Sequence, residues 1–123
     1  MHVKTARKLL GPLASRAVQR RYIVRATGNS YILPTEALNN GIYFLQHPLL
    51  GTAVSLRSVQ ELARILEECT PKIPLEDAVI SNEVLVEQDP YWARIRYAAK
   101  TVLQEIGADL EQWEREELAR DNA

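Results

Sequence analysis

The dipeptide Asp89-Pro90 constrains the fold of this chain more than any other feature, because it marks the start of the longest helix. An aspartate before the first helical turn accepts hydrogen bonds from free amides, and proline in that turn already has a helical φ. Gly107 is typical of a left-handed helix end. The apolar residues between these signals recur at helical spacing. They are Trp92, Ile95, Ala99, Val102, Leu103 and Ile106. The sequence therefore predicts a central core helix over about residues 90–106.

The rest of the chain predicts a mostly α fold, with five or six short helices packed around the central helix. Gly11-Pro12 is expected to separate two of them, because proline is favoured in a first turn and disfavoured in a helix interior. Asp109 is expected to cap the last helix, with Gln112 three residues later. The other predicted segments are 3–10, 12–21, 36–46, 55–68 and 75–88.

Residues 21–33 are the one place where a β structure is expected. Two short runs rich in tyrosine and β-branched residues, 21–25 and 30–33, flank the sequence Ala-Thr-Gly-Asn. Gly28 and Asn29 tolerate the positive φ of a tight turn. This pattern predicts a small β-hairpin that leans on the helices.

The charges of the chain are strongly segregated along its length. All 16 acidic residues lie from Glu36 onward, so residues 1–35 carry seven cations and no acid, a formal charge of +7. The remainder, with 8 basic and 16 acidic residues, carries −8, which gives the total of −1. This asymmetry predicts a basic amphipathic arm over residues 1–20 and a single helical domain over residues 21–123.

The arm supplies most of the expected partner-binding residues. Its cations outside the domain are Lys4, Arg7, Lys8, Arg16 and Arg20. Trp113, on the apolar stripe of the last predicted helix, is a core or interface anchor and completes this partner-binding set. Four interpretations of the arm are open: a mitochondrial targeting segment, a contact for nucleic-acid phosphates, a docking element for an acidic protein surface, and a solvated helix face.

No group of residues predicts catalysis, and we expect no enzyme activity, no cofactor and no metal site. Cys69 is the only cysteine, and it follows Glu67 and Glu68 at a helix end, which disfavours a thiolate. His2 and His47 lie far apart and in no zinc-binding spacing. Residues 37–56 are uncharged, but Pro48 and several polar residues interrupt them. We therefore expect no transmembrane segment, and peripheral membrane contact stays open.

These observations favour a non-catalytic accessory subunit that docks into a larger protein complex, or onto an acidic protein surface, through its basic arm. A mitochondrial location is preferred to a cytoplasmic one. Two alternatives remain. One is a small nucleic-acid-binding regulator, and the other is an inhibitor or antitoxin-like protein that presents its acidic carboxyl-terminal helix to a basic target. Glu111, Glu114 and Glu117 are the acids expected to carry that last function.

Overall fold

A computed structural model describes residues 2–26, 31–47, 51, 53, 55–75 and 80–120. Within these ranges the fold is all-helical and contains no β-strand. The α-helices are α1 (Val3–Ala14), α2 (Arg16–Gln19), α3 (Pro34–Gln46), α4 (Arg57–Cys69), α5 (Asn82–Gln88), α6 (Pro90–Glu105) and α7 (Leu110–Arg120). A π-helical turn (Arg20–Val24) continues α2, and a 3-10 turn (Thr70–Lys72) continues α4. The mostly α prediction is confirmed.

Helix α6 begins after Asp89 and ends just before Gly107. The Asp89 carboxylate accepts a hydrogen bond from the Trp92 amide at 2.8 Å, and Gly107 adopts a φ of 78° just beyond the last turn. The predicted apolar stripe is buried except for Ile106, which is partly exposed. Helices α1, α4, α5 and α7 all pack against α6. Burial of this stripe against four neighbours stabilises the fold through the hydrophobic effect.

Helix α1 passes through Gly11-Pro12 without a break, so the predicted interruption there is wrong. The chain turns instead at Ser15, whose hydroxyl accepts a hydrogen bond from the Val18 amide at 3.1 Å and caps α2. Proline inside a helix removes one backbone hydrogen bond. Leu10 and Leu13, on either side of the break expected from sequence, are both fully buried on one face. Their burial favours a continuous helix over a local break.

Helix α1 belongs to the same core as the rest of the domain. Ala6, Leu10 and Leu13 are fully buried, and α1 packs against α3, α6 and α7. Helix α1, predicted as part of the basic arm over residues 1–20, therefore contributes side chains to the same hydrophobic cluster as the other helices.

The hairpin expected at 21–33 is not found in the described residues, and that prediction is corrected: its first strand is helical, and residues 31–33 have no regular secondary structure. Arg20–Val24 continues α2 as a π-helical turn, and its Ile23 side chain is buried. The two predicted strands still meet at one point, where the Ile32 amide donates to the Tyr22 carbonyl oxygen at 2.8 Å. Because Tyr22 and Ile23 lie on a helix that starts at Arg16, helical continuity prevails over their β propensity. The turn residues 27–30 lie outside the described residues.

The remaining helices form where expected, with shifted ends. Helix α3 begins at Pro34, and the Glu36 carboxylate accepts from the Leu33 amide at 3.4 Å. Helix α5 starts only at Asn82, after a Ser81 cap, and residues 76–79 of the segment predicted there lie outside the described residues. Asp109 accepts from the Gln112 amide at 3.0 Å at the start of α7. None of the described helices is long and apolar enough to cross a membrane.

Candidate functional site: a basic groove between the first and last helices

Helices α1 and α7 border a groove with a volume of about 540 Å³. We call it the basic groove. Four of the six side chains predicted to bind a partner line it, and its lining residues are Lys4, Thr5, Arg7, Lys8, Pro12, Trp113, Glu116, Glu117 and Arg120. Residues about a hundred positions apart in the sequence thus form one concave surface of the size typical of ligand and peptide sites.

The groove has its shape because α7 lies very close to α1 at one point. A Cβ atom on Gly11 would lie only 2.6–2.7 Å from three ring carbons of Trp113, so the absence of a side chain at Gly11 gives the indole its position. Trp113 is partly buried there and packs against the core. One face of a rigid aromatic ring is therefore held at the bottom of a charged groove, an arrangement typical of interface anchors.

The groove carries a net positive charge. Its lining contains four cations and two carboxylates, so its formal charge is 4 − 2 = +2. Both carboxylates are already bound on α7: Glu117 pairs with Arg120 at 3.0 Å, and Glu116 accepts from the Gln112 side-chain amide at 3.2 Å. Lys4 and Lys8 are exposed, and neither forms an ion pair with a described residue. The positive charge on the α1 side is therefore not neutralised within the described part of the chain.

Arg7 is the least satisfied polar side chain of the groove. Its Nε atom is buried, and no acceptor lies within hydrogen-bonding distance of it among the described residues. A buried donor without an acceptor costs about 1–3 kcal/mol, more when the group is charged. The guanidinium of Arg7 adds a third cation to the α1 side of the groove.

Arg16 and Arg20, the other two predicted partner-binding cations, lie outside the basic groove. Both bind Glu87 on α5: the Arg16 guanidinium donates to its carboxylate at 2.6 Å, and Arg20 donates through two nitrogens. Hydrogen bonds from Arg20 and then from Arg16 lower the pKa of Glu87 from 4.5 to about 2. These cations are therefore partly neutralised by the chain itself, and the structure does not bring them together with Lys4, Arg7 and Lys8.

Sequence reasoning missed a buried polar network next to this pair. Gln19 is fully buried; its amide nitrogen donates to the backbone oxygens of Pro12 and Leu13, and its amide oxygen accepts from Trp92 Nε1 and Arg96 Nη1 at 3.1 and 3.0 Å. Every hydrogen-bonding position of Gln19 is used. In the sequence, this network is indicated only by a glutamine at a core-facing position of a helix. That position does not reveal which residues hydrogen-bond to Gln19.

The residues weighed for catalysis lie apart from the groove. Cys69 is fully buried at the end of α4, and His47 packs edge-on against Tyr43 with ring centroids 5.4 Å apart. The Tyr22 hydroxyl donates a hydrogen bond to the Glu117 carbonyl oxygen at 2.9 Å. Among the described residues, no three His, Cys, Asp or Glu side chains are placed to hold a metal ion.

Comparison of the chain with protein-family models, with curated proteins and with solved structures finds no match. The function therefore has to be argued from the groove itself.

Proposed function

We propose that this protein is a non-catalytic accessory subunit that binds an acidic segment of a larger protein assembly in its basic groove. The observation that carries the proposal is the set of three cations on the α1 side of the groove, Arg7 together with Lys4 and Lys8, of which the two lysines form no ion pair with a described residue. Carboxylates of a partner would accept from all three cations. Charge-assisted hydrogen bonds of this kind are stronger than neutral ones.

Trp113 supports a protein partner. Tryptophan and arginine are the residues that most often dominate the binding energy of protein interfaces, and here Trp113 and Arg7 line the same groove. The cations would align the partner segment in the groove and speed its association, while the indole of Trp113 would bury apolar surface. The partner expected from this chemistry is an acidic segment with at least one apolar side chain to cover the indole.

A mitochondrial setting remains part of the proposal. It rests on the acid-free, arginine-rich composition of residues 1–35. Because α1 contributes fully buried side chains, we expect loss of residues 1–21 to unfold the domain rather than to release an arm. In this proposal the segment is therefore retained in the functional protein.

The two alternative functions receive less support. A nucleic acid would meet the carboxylates of Glu116 and Glu117 on one wall of the groove, and these repel phosphates. An inhibitor that uses its acidic helix would need Glu114 and Glu117, which bind Ser15 and Arg120 within the chain. Of the three acids considered for that function, Glu111 alone is without a bond to another described residue.

The test is a pair of charge-neutralised double variants of the full chain. Lys4→Gln with Lys8→Gln removes two groove cations, and Lys72→Gln with Lys100→Gln removes two exposed cations that do not line it. Each protein is expressed with a tag in its natural source, and the proteins that co-purify are quantified. We expect the groove variant to lose its assembly and the control variant to retain it.

The groove variant should keep the wild-type thermal unfolding temperature, because Lys4 and Lys8 are exposed. The control variant should unfold at a slightly lower temperature, because the Lys72 ammonium lies 5.4 Å from the centre of the Tyr91 ring. An assembly recovered equally well with the groove variant would contradict the proposal. Binding to duplex or single-stranded nucleic acid, with an affinity that falls steeply with salt and depends on Lys4 and Lys8, would favour the regulator instead.

A further inference from the structure

A second concave site lies where α6 meets the start of α2 and the first turns of α7. Its volume is about 320 Å³, and it shares no lining residue with the basic groove. Three of its lining side chains are cations: Arg16, Arg96 and Lys100. Its single acid, Glu114, accepts a hydrogen bond from the Ser15 hydroxyl at 2.7 Å. We call this site the cationic pocket, and its formal charge is 3 − 1 = +2.

Arg96 is held in place with half of its guanidinium unused. Its Nη1 atom donates to the Gln19 side-chain oxygen at 3.0 Å and to the Val86 carbonyl oxygen at 2.9 Å. Neither Nε nor Nη2 of Arg96 donates to a described residue. An arginine presents two parallel donors to a carboxylate or phosphate. The hydrogen bonds to Gln19 and Val86 hold the guanidinium of Arg96 in position before any ligand binds.

The pocket brings three cations close together, and of these only Arg16 has an ion-pair partner among the described residues, Glu87. Burial lowers the pKa of Arg96, the nearby Arg16 cation lowers it further, and the Glu87 carboxylate partly offsets this. Lys100 follows Arg96 by four residues on α6, a spacing at which two cations repel. Lys100 forms no ion pair with a described residue. A bound anion would compensate both the desolvation and the repulsion.

The rest of the lining is apolar and includes an exposed aromatic ring. Ala14, Ala93 and Leu110 contribute aliphatic surface, and Tyr97, the most exposed large hydrophobic residue of the described chain, is 73% exposed. A flat apolar group could lie against this ring. The pocket thus combines a cationic part with an aromatic wall.

We propose that the cationic pocket binds a small phosphate monoester that carries a flat apolar group. A phosphate monoester carries a charge of about −1.5 to −2 and three acceptor oxygens at neutral pH, so it can neutralise both Arg96 and Lys100, the two lining cations that form no ion pair with a described residue. The phosphate oxygens accept from the free edge of Arg96 and from Lys100. The flat group packs against Tyr97. This site is separate from the basic groove, so the inference does not depend on the proposed docking function.

The test is calorimetric titration of the full-length protein at constant ionic strength with phenyl phosphate, inorganic phosphate and phenol. We expect phenyl phosphate to bind most tightly, inorganic phosphate more weakly and phenol weakest, because only the first ligand uses both parts of the pocket. No binding of phenyl phosphate at millimolar concentration would overturn the proposal. Equal affinities for phenyl phosphate and inorganic phosphate would overturn the assignment of Tyr97.

Single substitutions locate the site. Lys100→Gln should weaken phenyl phosphate binding about tenfold, as expected for loss of one charge-assisted contact. Lys72→Gln removes the same charge from an exposed side chain outside the pocket and should leave the affinity within about twofold. Both lysines are exposed, so both variants should fold. Equal weakening by the two substitutions would show non-specific attraction and overturn the proposal.

The Lys4→Gln, Lys8→Gln variant separates this inference from the docking function. We expect it to bind phenyl phosphate like the wild type while it loses the protein partner. Conversely, Lys100→Gln alone should show the tenfold weaker binding of phenyl phosphate and keep the partner. Loss of phenyl phosphate binding in the Lys4→Gln, Lys8→Gln variant, with Lys100→Gln unaffected, would place the anion in the basic groove and refute the cationic pocket.

Discussion

Helix α1 and the neighbouring α2 region come from the same acid-free stretch of sequence, yet their cations have different surroundings. On α1, Lys4 and Lys8 face a groove with no ion-pair partner among the described residues. In the α2 region, Arg16 and Arg20 both bind the carboxylate of Glu87. An equal density of positive charge in the sequence therefore produces one open surface and one that the fold partly neutralises.

The two regions also attach to the core in different ways. Helix α1 is held by apolar side chains such as Leu10, which is fully buried. The α2 region is held in part by Gln19, which is equally buried but makes four hydrogen bonds. Apolar packing tolerates small shifts of a helix and changes of side-chain rotamer better than a hydrogen-bond network does, because hydrogen bonds require fixed directions. Four predictions test this contrast.

The largest effect is expected from Leu10→Ala on α1. Loss of a fully buried leucine should lower the free energy of unfolding by about 2–5 kcal/mol. Leu9→Ala is the matched control, because Leu9 is only partly buried and should cost less. Urea denaturation followed by circular dichroism measures both. Equal effects of the two substitutions would mean that α1 does not pack in the core.

In the α2 region, Gln19→Leu should lower the free energy of unfolding by about 2–3 kcal/mol, although leucine is the more apolar side chain. Trp92 Nε1 and the Pro12 and Leu13 carbonyl oxygens would lose their partner inside the protein, and each unsatisfied buried group is costly. Gln60→Leu, at an exposed position of α4, makes the same change outside the core and should be nearly neutral. A Gln19→Leu variant as stable as the wild type would contradict the network.

A smaller effect is expected where α1 meets α7. Gly11→Ala should add about 1 kcal/mol to the free energy of unfolding through helix propensity. Its Cβ must also displace the Trp113 ring, and we therefore expect the free energy of unfolding to fall by about 1 kcal/mol in total. In a Trp113→Ala background the same substitution should instead stabilise by about 0.5–1 kcal/mol. Thermal unfolding of the four proteins of this double-mutant cycle gives the coupling. The same sign in both backgrounds would refute the close approach.

The smallest effect is expected from the exposed ion pairs of the α2 region, and it depends on pH. The lowered pKa of Glu87 means that its ionised form is favoured in the folded state, so its contribution is complete above about pH 4.5 and is lost as the pH falls towards 2. The stability difference between wild type and Glu87→Gln should therefore shrink over that range. Glu83→Gln, also on α5, should show no such change. The unfolding temperatures of all three proteins between pH 2 and pH 7 provide the measurement.

Much of the fold follows from local signals. Asp89-Pro90 and Gly107 bound α6 as predicted, and Asp109 caps α7, because caps act through hydrogen bonds to residues three or so positions away. The local signals at 11–12 and 21–33 led to wrong predictions for the same reason. They describe only what a segment prefers, and burial of Leu13 and Ile23 outweighs that preference.

The residue types of the candidate site were visible in the sequence, but their grouping was not. The charge pattern along residues 1–35 suffices to identify Lys4, Arg7 and Lys8 as surface cations, since they alternate with core positions at helical spacing. Helix packing places these cations in the same groove as Trp113. It also brings Arg20 into contact with Glu87, which lies 67 residues away in the sequence. Helix packing brings together residues that no local pattern relates. Tertiary structure therefore decided which cations of this chain remain available to a partner.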